Sequence, residues 1–443
     1  MAPIPSLPLI DVELALAPRF ASIRRFTESL CTGLEKEDYV VQTVTDVSPT
    51  KWHLAHTTWF WETFVLHPHA KGYRLFDDRY PYLFNSYYVQ AGERHCRAQR
   101  GYLSRPTVEE VFAYRRHVDE AMTRFLDDLD EQEARPVAEV VELGLQHEQQ
   151  HQELILTDLK HVFSVNPLRP VYRERPRPPS AEPGPMRWVS FGEGVREVGW
   201  PFEGTTTRER FGFDNEGPRH RVFVEPFALA DRLVTCGEYL AFIEDGGYRQ
   251  APLWLSEGWA TIQQEGWAEP FYWECRDGAW WHFTLAGLQP VDFHEPVTHL
   301  SYFEADAYAR WAEARLPSEF EWEVAAWDAW DGTPGGNFVE RGLLHPAPAG
   351  PDGAGNGAPP APRLRQLFGD AWEWTHSQYS PYPGYQPGAG ALGEYNGKWM
   401  CNQFVLRGGS CATSRTHIRP TYRNFFPPGA TWQFTGIRLA RSV

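Results

Sequence analysis

The stretch that most constrains this chain is Val137–Phe163, where apolar residues recur at helical spacing with no Gly or Pro except Gly144. Such a run predicts one long amphipathic helix. At its centre lies Gln146-His147-Glu148-Gln149-Gln150-His151-Gln152-Glu153, polar at every position. Residues four apart share a helix face, one turn from each other. His147 and His151 therefore present two imidazoles side by side. An arbitrary H-x-x-x-H is more often a pair of polar helix histidines with no metal. Here the run is too polar for a buried face unless something polar is bound. We expect His147 and His151 to ligate a catalytic metal ion.

The rest of the first half is also helical in pattern. Val108–Leu129 repeats the spacing, and shorter helices are expected at 11–31 and 50–66. Four helices predict a bundle over residues 1–165. Seven prolines between Pro167 and Pro185 make 166–186 a linker, extended and strapped over a surface. From Met186 the chain is rich in Gly, Pro and Trp, with short apolar runs such as Val222-Phe223-Val224 and Phe404-Val405-Leu406-Arg407. Residues 187–443 therefore read as an irregular α+β domain with long loops, helices at 236–244 and 303–314, and a surface loop at 345–363. A length of 443 residues exceeds what one core holds, which agrees with two domains.

Composition removes several function classes. The net charge of -16 argues against nucleic-acid partners, which need clustered Lys and Arg. No segment has the length and apolarity of a membrane helix, and no signal peptide is evident. The six cysteines are scattered with no C-x-x-C pair, so free thiols in a cytoplasmic protein are expected. Nineteen Trp and nineteen Tyr stand out, and the Trp crowd into the second half. Most must be packing, and a few could cage a cationic ligand.

His147-Glu148-x-x-His151 also matches the zinc-hydrolase pattern, with Glu148 as general base. The Gly and third His of the extended form are missing, and His161 lies ten residues on along the same helix. A better third ligand is upstream, in Trp52-His53-Leu54-Ala55-His56-Thr57-Thr58-Trp59-Phe60. His53 and His56 are three apart, and either could face the bundle centre.

These segments together resemble a known family. Trp52-His53-Leu54-Ala55-His56 with His147–Glu153 resembles the DinB-like domain of the ergothioneine-biosynthetic sulfoxide synthases. The second half is similar to their formylglycine-generating-enzyme-like domain. Its marks are Arg315-Leu316-Pro317-Ser318-Glu319-Phe320-Glu321-Trp322-Glu323, Gly369-Asp370-Ala371-Trp372-Glu373-Trp374-Thr375, Arg407-Gly408-Gly409-Ser410 and Gly436-Ile437-Arg438-Leu439-Ala440. The resemblance implies a DinB-like four-helix bundle followed by an irregular, C-type-lectin-like α+β domain. It implies a mononuclear non-haem iron(II) centre, Fe(2+), on His56, His147 and His151, with His53 a non-ligand. It further implies O2-dependent joining of hercynine to a thiol, giving a hercynylcysteine sulfoxide. Three neutral imidazoles would leave open positions for a thiolate, the substrate imidazole and O2.

The resemblance also assigns substrate and proton-transfer residues. Arg97 and Arg100 fall where the family anchors the thiol substrate's carboxylate, a task that suits Arg. Tyr87 and Tyr88 resemble the paired tyrosines of the cysteine-using branch and are the candidate proton donors. Tyr379 and Tyr382 resemble the tyrosines that another branch places on the second domain. Gln150, beside His151, is a candidate contact to hercynine. Asn424-Phe425-Phe426 stands where the γ-glutamylcysteine branch carries Asn-Trp-Asp. Asn424 and Phe425 could hold the carboxylate and trimethylammonium ends of hercynine, and Phe426 removes a polar contact used for a γ-glutamyl group. The expected substrates are hercynine, L-cysteine and O2, with γ-glutamylcysteine or a selenium donor as the close alternatives. The formylglycine-generating enzyme carries a C-x-x-x-x-C pattern after Gly-Gly-Ser, whereas here Cys411 has no cysteine downstream. That activity is not expected, and the second domain is read as a wall of the active site. A zinc hydrolase and a Trp-rich binding module without catalysis are the rival readings.

Overall fold

The computed structural model describes residues 16–129, 131–175, 180–201, 211–350 and 363–443, the side chains of 131–136 excepted. The chain forms two compact units. The first holds Met1–Tyr172, Phe202–Asp214 and Gln386–Lys398, and the second holds Arg173–Pro201, Asn215–Tyr385 and Trp399–Val443.

The first unit is built on helices α1 (Leu16–Leu30), α2 (Thr50–Trp61), α3 (Val108–Asp128) and α4 (Glu131–Val165). Helix α2 touches α3 and α4, and α1 touches the same pair. The expected helix at 11–31 begins at Leu16, and residues 11–15 lie outside the described residues. The one expected at 50–66 is α-helical to Trp61 and then forms a π-helical turn over Glu62–Leu66. Helix α3 starts at a capping box in which Glu110 N donates to Thr107 Oγ1 and Thr107 N donates to Glu110 Oε2. Every residue of α2 is buried, so it is the core helix rather than an amphipathic one.

Gly144 lets α2 and α4 meet. A Cβ there would fall 2.6 Å from the Trp61 ring and 2.8 Å from Phe60. A mid-helix glycine costs about 1 kcal/mol relative to alanine. At this position it permits the close approach that brings α2 histidines against His147, one turn further along α4.

The second unit carries sheets ordered β1-β4-β12, β10-β9-β8-β11, β2-β3 and β5-β6-β7. Their strands are β1 (Trp188–Phe191), β2 (Gly194–Val198), β3 (His220–Val224), β4 (Phe227–Ala230), β5 (Trp273–Arg276), β6 (Ala279–Thr284), β7 (Gly287–Pro290), β8 (Trp372–Gln378), β9 (Phe404–Arg407), β10 (Asn424–Phe426), β11 (Thr435–Gly436) and β12 (Ala440–Ser442). Helices α5 (Cys236–Glu244) and α7 (Tyr302–Trp311) answer the two expected from sequence. Helices α6 (Ser256–Glu265) and α8 (Glu319–Ala329) were not anticipated. Val224, Phe227, Leu229, Ala325 and Ala440 form one core cluster between sheet and α8. The expected surface loop at 345–363 needs correction at its start. His345 and Ala349 are buried, with the His345 ring on Glu295, and 351–362 lie outside the described residues.

Among the described residues no helix is long and apolar enough to cross a membrane, and all six cysteines are free thiols.

Candidate metal centre

Helices α2 and α4 bring His56, His147 and His151 together inside the first unit. One ring nitrogen from each lies within 4.8 Å of the other two, and all three residues are buried. His56 Nε2 and His147 Nε2 are 3.2 Å apart. His56 Nδ1 is 2.6 Å from the Phe84 carbonyl, which can only accept, so this nitrogen carries the proton and Nε2 offers a lone pair. His53 does not join the triangle. It lies behind His151, with Nδ1 2.8 Å from His151 Nδ1 and Nε2 2.9 Å from Asp158 Oδ2.

Burial pushes all three imidazoles toward the neutral form, His147 down to about 3, and the mutual repulsion of His147 and its neighbours lowers His56 and His151 further. Neutral imidazole is the form a metal takes. Adjacent ligands of one octahedral ion at a metal–nitrogen distance of about 2.1 Å stand roughly 3 Å apart, which the His56–His147 spacing matches. His147 Nδ1 is also buried without a hydrogen-bond partner among the described residues. The donor set fits iron(II) with open positions.

Glu148 faces the other way. Oε1 accepts from Arg115 Nη2 and Thr27 Oγ1, both at 2.7 Å, and Oε2 accepts from Arg24 Nη1 and Trp61 Nε1, both at 3.0 Å. It is fully buried rather than on the surface. Much of the polarity of the run is thus answered by protein. Glu148 meets Arg24 and Arg115, and six residues earlier on the same helix Glu142 meets Arg19 at 2.5 and 2.8 Å. The histidine face is where a metal ion could be held.

One tyrosine, Tyr395, lies against that face, and Tyr87 and Tyr88 lie beside it. Tyr87 and Tyr88 stack at 4.6 Å, and burial pushes both phenols up. Tyr88 is wholly buried, against Trp59 at 5.6 Å and Phe64 at 5.3 Å. Tyr395 was not read from the sequence. Its ring lies edge-on to His147 at 5.7 Å and near Tyr87 and Tyr88 at 6.3 and 6.5 Å, and its hydroxyl donates to Gln150 Oε1. It sits in Gln386–Lys398, a segment anchored when Glu394 accepts the Val89 and Gln90 N–H groups and Lys398 donates to the Tyr87 carbonyl. No periodicity or motif marks Tyr395; only the folded chain brings it to Gln150. It also lines a cavity of about 440 Å³ with Leu143, Phe211, Phe213, Asp214 and Glu139.

The two candidate arginines part company. Arg97 is half exposed and spends its guanidinium on the Thr45 and Asp46 carbonyls. Arg100 is buried, with Cζ 3.3 Å from the Trp52 ring centroid and Nη1 donating to Ser48 Oγ at 2.9 Å. Trp52 in turn stacks on His56 at 4.6 Å. Among the described residues Arg100 has no carboxylate within ion-pair distance.

The remaining candidates lie in the second unit. Tyr379 stacks on Phe425 at 4.1 Å and its hydroxyl accepts from Asn215 Nδ2. The Tyr382 hydroxyl joins a buried cluster of Glu319, Arg407 and Arg423. Asn424 Oδ1 accepts from the Phe425 N–H, and Phe426 meets Trp432 at 5.8 Å. Cys411 is wholly buried, its N–H on the Asp370 carbonyl.

Comparison with known proteins agrees with both halves. Residues 19–155 match the DinB superfamily, and residues 188–348 and 355–443 match the Sulfatase-modifying factor enzyme 1-like domain. The formylglycine-generating enzyme of Streptomyces coelicolor is 31% identical over 272 residues, covering 52% of this chain and 82% of that protein. A hercynine oxygenase of Mycolicibacterium smegmatis is 35% identical over 319 residues, 68% of this chain and 71% of its own length. Another, from Mycolicibacterium thermoresistibile, is 35% identical over 428 residues, 90% of this chain and 88% of the relative. With both domain families in this order, and a relative matched along nearly its whole length, the chain belongs to the hercynine oxygenase family.

Proposed function

We propose that this chain is a cytoplasmic, iron(II)- and O2-dependent sulfoxide synthase that joins hercynine to L-cysteine, giving hercynylcysteine sulfoxide in ergothioneine biosynthesis. The observation that carries the reading is the buried triangle of His56, His147 and His151, all neutral, with Glu148 turned away from it. Iron(II) held there would activate O2 and keep a coordinated thiol ionised.

The chain's own residues do the rest. Arg100, buried and without a carboxylate partner among the described residues, holds the carboxylate of cysteine. Tyr88, a phenol that burial keeps protonated, donates its proton at Oη, with Tyr87 stacked beside it. Gln150, oriented by Tyr395, contacts hercynine. The cavity walled by Phe211, Phe213 and Tyr395 with Glu139 and Asp214 suits a trimethylammonium group. Roles for Arg97, Tyr379, Tyr382, Asn424, Phe425 and Phe426 rest on the family resemblance alone. The zinc-hydrolase reading loses its base, because all four donors around Glu148 are protein groups.

Anaerobic protein loaded with iron(II) and given hercynine with cysteine, γ-glutamylcysteine or selenocysteine, then air, tests the proposal by mass spectrometry. A sulfoxide adduct formed fastest with cysteine is expected. No adduct with any donor, or zinc as the resident metal with no O2 uptake, would refute it.

A further inference from the structure

We infer that His53 and Asp158 form a hydrogen-bond relay that sets the tautomer and orientation of His151, making His53 a positioning residue for the metal centre. The inference rests on the metal reading above.

The protons can be followed from one end. Asp158 Oδ2 accepts the Ser48 backbone N–H at 2.8 Å, so the oxygen facing His53 is an acceptor. His53 Nε2, 2.9 Å from that oxygen, therefore carries a proton. In its neutral form, with one N–H, His53 then has a lone pair at Nδ1. The 2.8 Å contact from His53 Nδ1 to His151 Nδ1 is then a hydrogen bond only if His151 Nδ1 is protonated. That leaves His151 Nε2 as the lone pair, the nitrogen a metal requires. Each member is buried, so water does not compete for these bonds.

The placement follows from the helices. Asp158 lies two turns beyond His151 on α4, and His53 lies one turn before His56 on α2. One helix thus supplies two ligands and the carboxylate, and the other supplies one ligand and the bridge between them. A carboxylate that orients a metal-bound histidine raises that ligand's basicity, and removing such a partner weakens metal binding about 10- to 100-fold. Here the carboxylate acts through a second imidazole.

Three variants separate the relay from a plain helix-to-helix contact. His53→Leu keeps volume and loses both bonds. His53→Gln keeps an acceptor for His151 and a donor for Asp158. Asp158→Ala leaves His53 in place but frees its tautomer, so the relay is tested even where the leucine variant fails to fold. Iron(II) affinity is measured anaerobically by chelator competition, together with the electron paramagnetic resonance spectrum of the nitric oxide adduct. The relay predicts affinity weakened about 10- to 100-fold with an altered spectrum in His53→Leu and Asp158→Ala, and affinity within a few-fold of wild type in His53→Gln. Unchanged affinity and spectrum in folded His53→Leu or Asp158→Ala would overturn it, as would a His53→Gln variant no better than leucine. Normal sulfoxide formation beside unchanged affinities would reject the relay and keep the proposed function; the expected affinities without any sulfoxide product would do the reverse.

Discussion

Glu148→Gln separates the two readings of His147-Glu148-x-x-His151. Glu148 is saturated by four donors, and two of them are guanidinium groups. Burial pushes its carboxyl up, but Arg24 and Arg115 pull harder and hold it well below the usual carboxylate range. Glutamine keeps the shape, removes the charge, and turns an acceptor into a donor that faces donors. Removing one partner of a buried pair costs about 3–5 kcal/mol. Arg24 keeps Asp119 at 2.6 Å and Arg115 keeps Glu28 at 3.2 Å, so the lower end applies. A loss of about 3 kcal/mol lowers the melting temperature by about 6–12 °C in a unit of this size.

Thermal unfolding of the wild type and the variant at pH 7 checks this, alongside turnover of folded, iron-loaded enzyme well below either melting point. Stability should fall while turnover stays within a few-fold. A depressed carboxyl contributes stability that is present above its ordinary pKa, about 4.3, and lost as pH falls through the lower folded value. The gap between the two proteins should therefore be flat from pH 5 to 8 and close below about pH 4. An unchanged melting temperature with collapsed turnover would refute the structural role and restore Glu148 as a base.

Other expectations follow from the same geometry. Tyr88→Phe should divert oxygen onto cysteine alone, read as sulfinate by mass spectrometry, with Tyr87→Phe less affected; unchanged product ratios in both would move the proton to Tyr379 or Tyr382. Arg100→Met should raise the KM for cysteine at least tenfold with little effect on that for hercynine, whereas Arg97→Ala, whose guanidinium is spent on exposed carbonyls, should change either by less than threefold. Glu304, buried with its carboxylate on Tyr248 and Ser301, is pushed up to about 7 by burial. A raised carboxyl makes folding most favourable below its ordinary pKa, so urea unfolding should show stability declining between pH 4.5 and 7, by at most about 3 kcal/mol, and levelling above. Glu304→Gln should lack that decline.

The long helices were legible because apolar periodicity survives over many turns, as in α3 and α4. Helix α2 was harder, since it is buried on every side and has no polar face to set a period. In the second half, α6 and α8 were missed although α8 opens with Ser318-x-x-Glu321, a capping box whose bonds the structure contains. Its Trp and Phe content reads equally as strand. The loop from His345 was misread because Ala, Gly and Pro suggest exposure, while one histidine bound to Glu295 buries its start.

The site shows where reading residues one at a time stops. His53 and His56 both face α4, and spacing alone leaves either as the ligand. The family resemblance named His56; in the structure Asp158 Oδ2 lies 2.9 Å from His53 Nε2, and the other His53 nitrogen faces His151 rather than the His56–His147–His151 triangle. In the same way Arg97 and Arg100 are equivalent in the sequence, yet only one is buried beside a ring that stacks on His56. In both pairs the deciding contact comes from a segment far along the chain. A local pattern can therefore propose the set of donors, but the choice within it passes over the member whose charge or proton the fold already claims elsewhere.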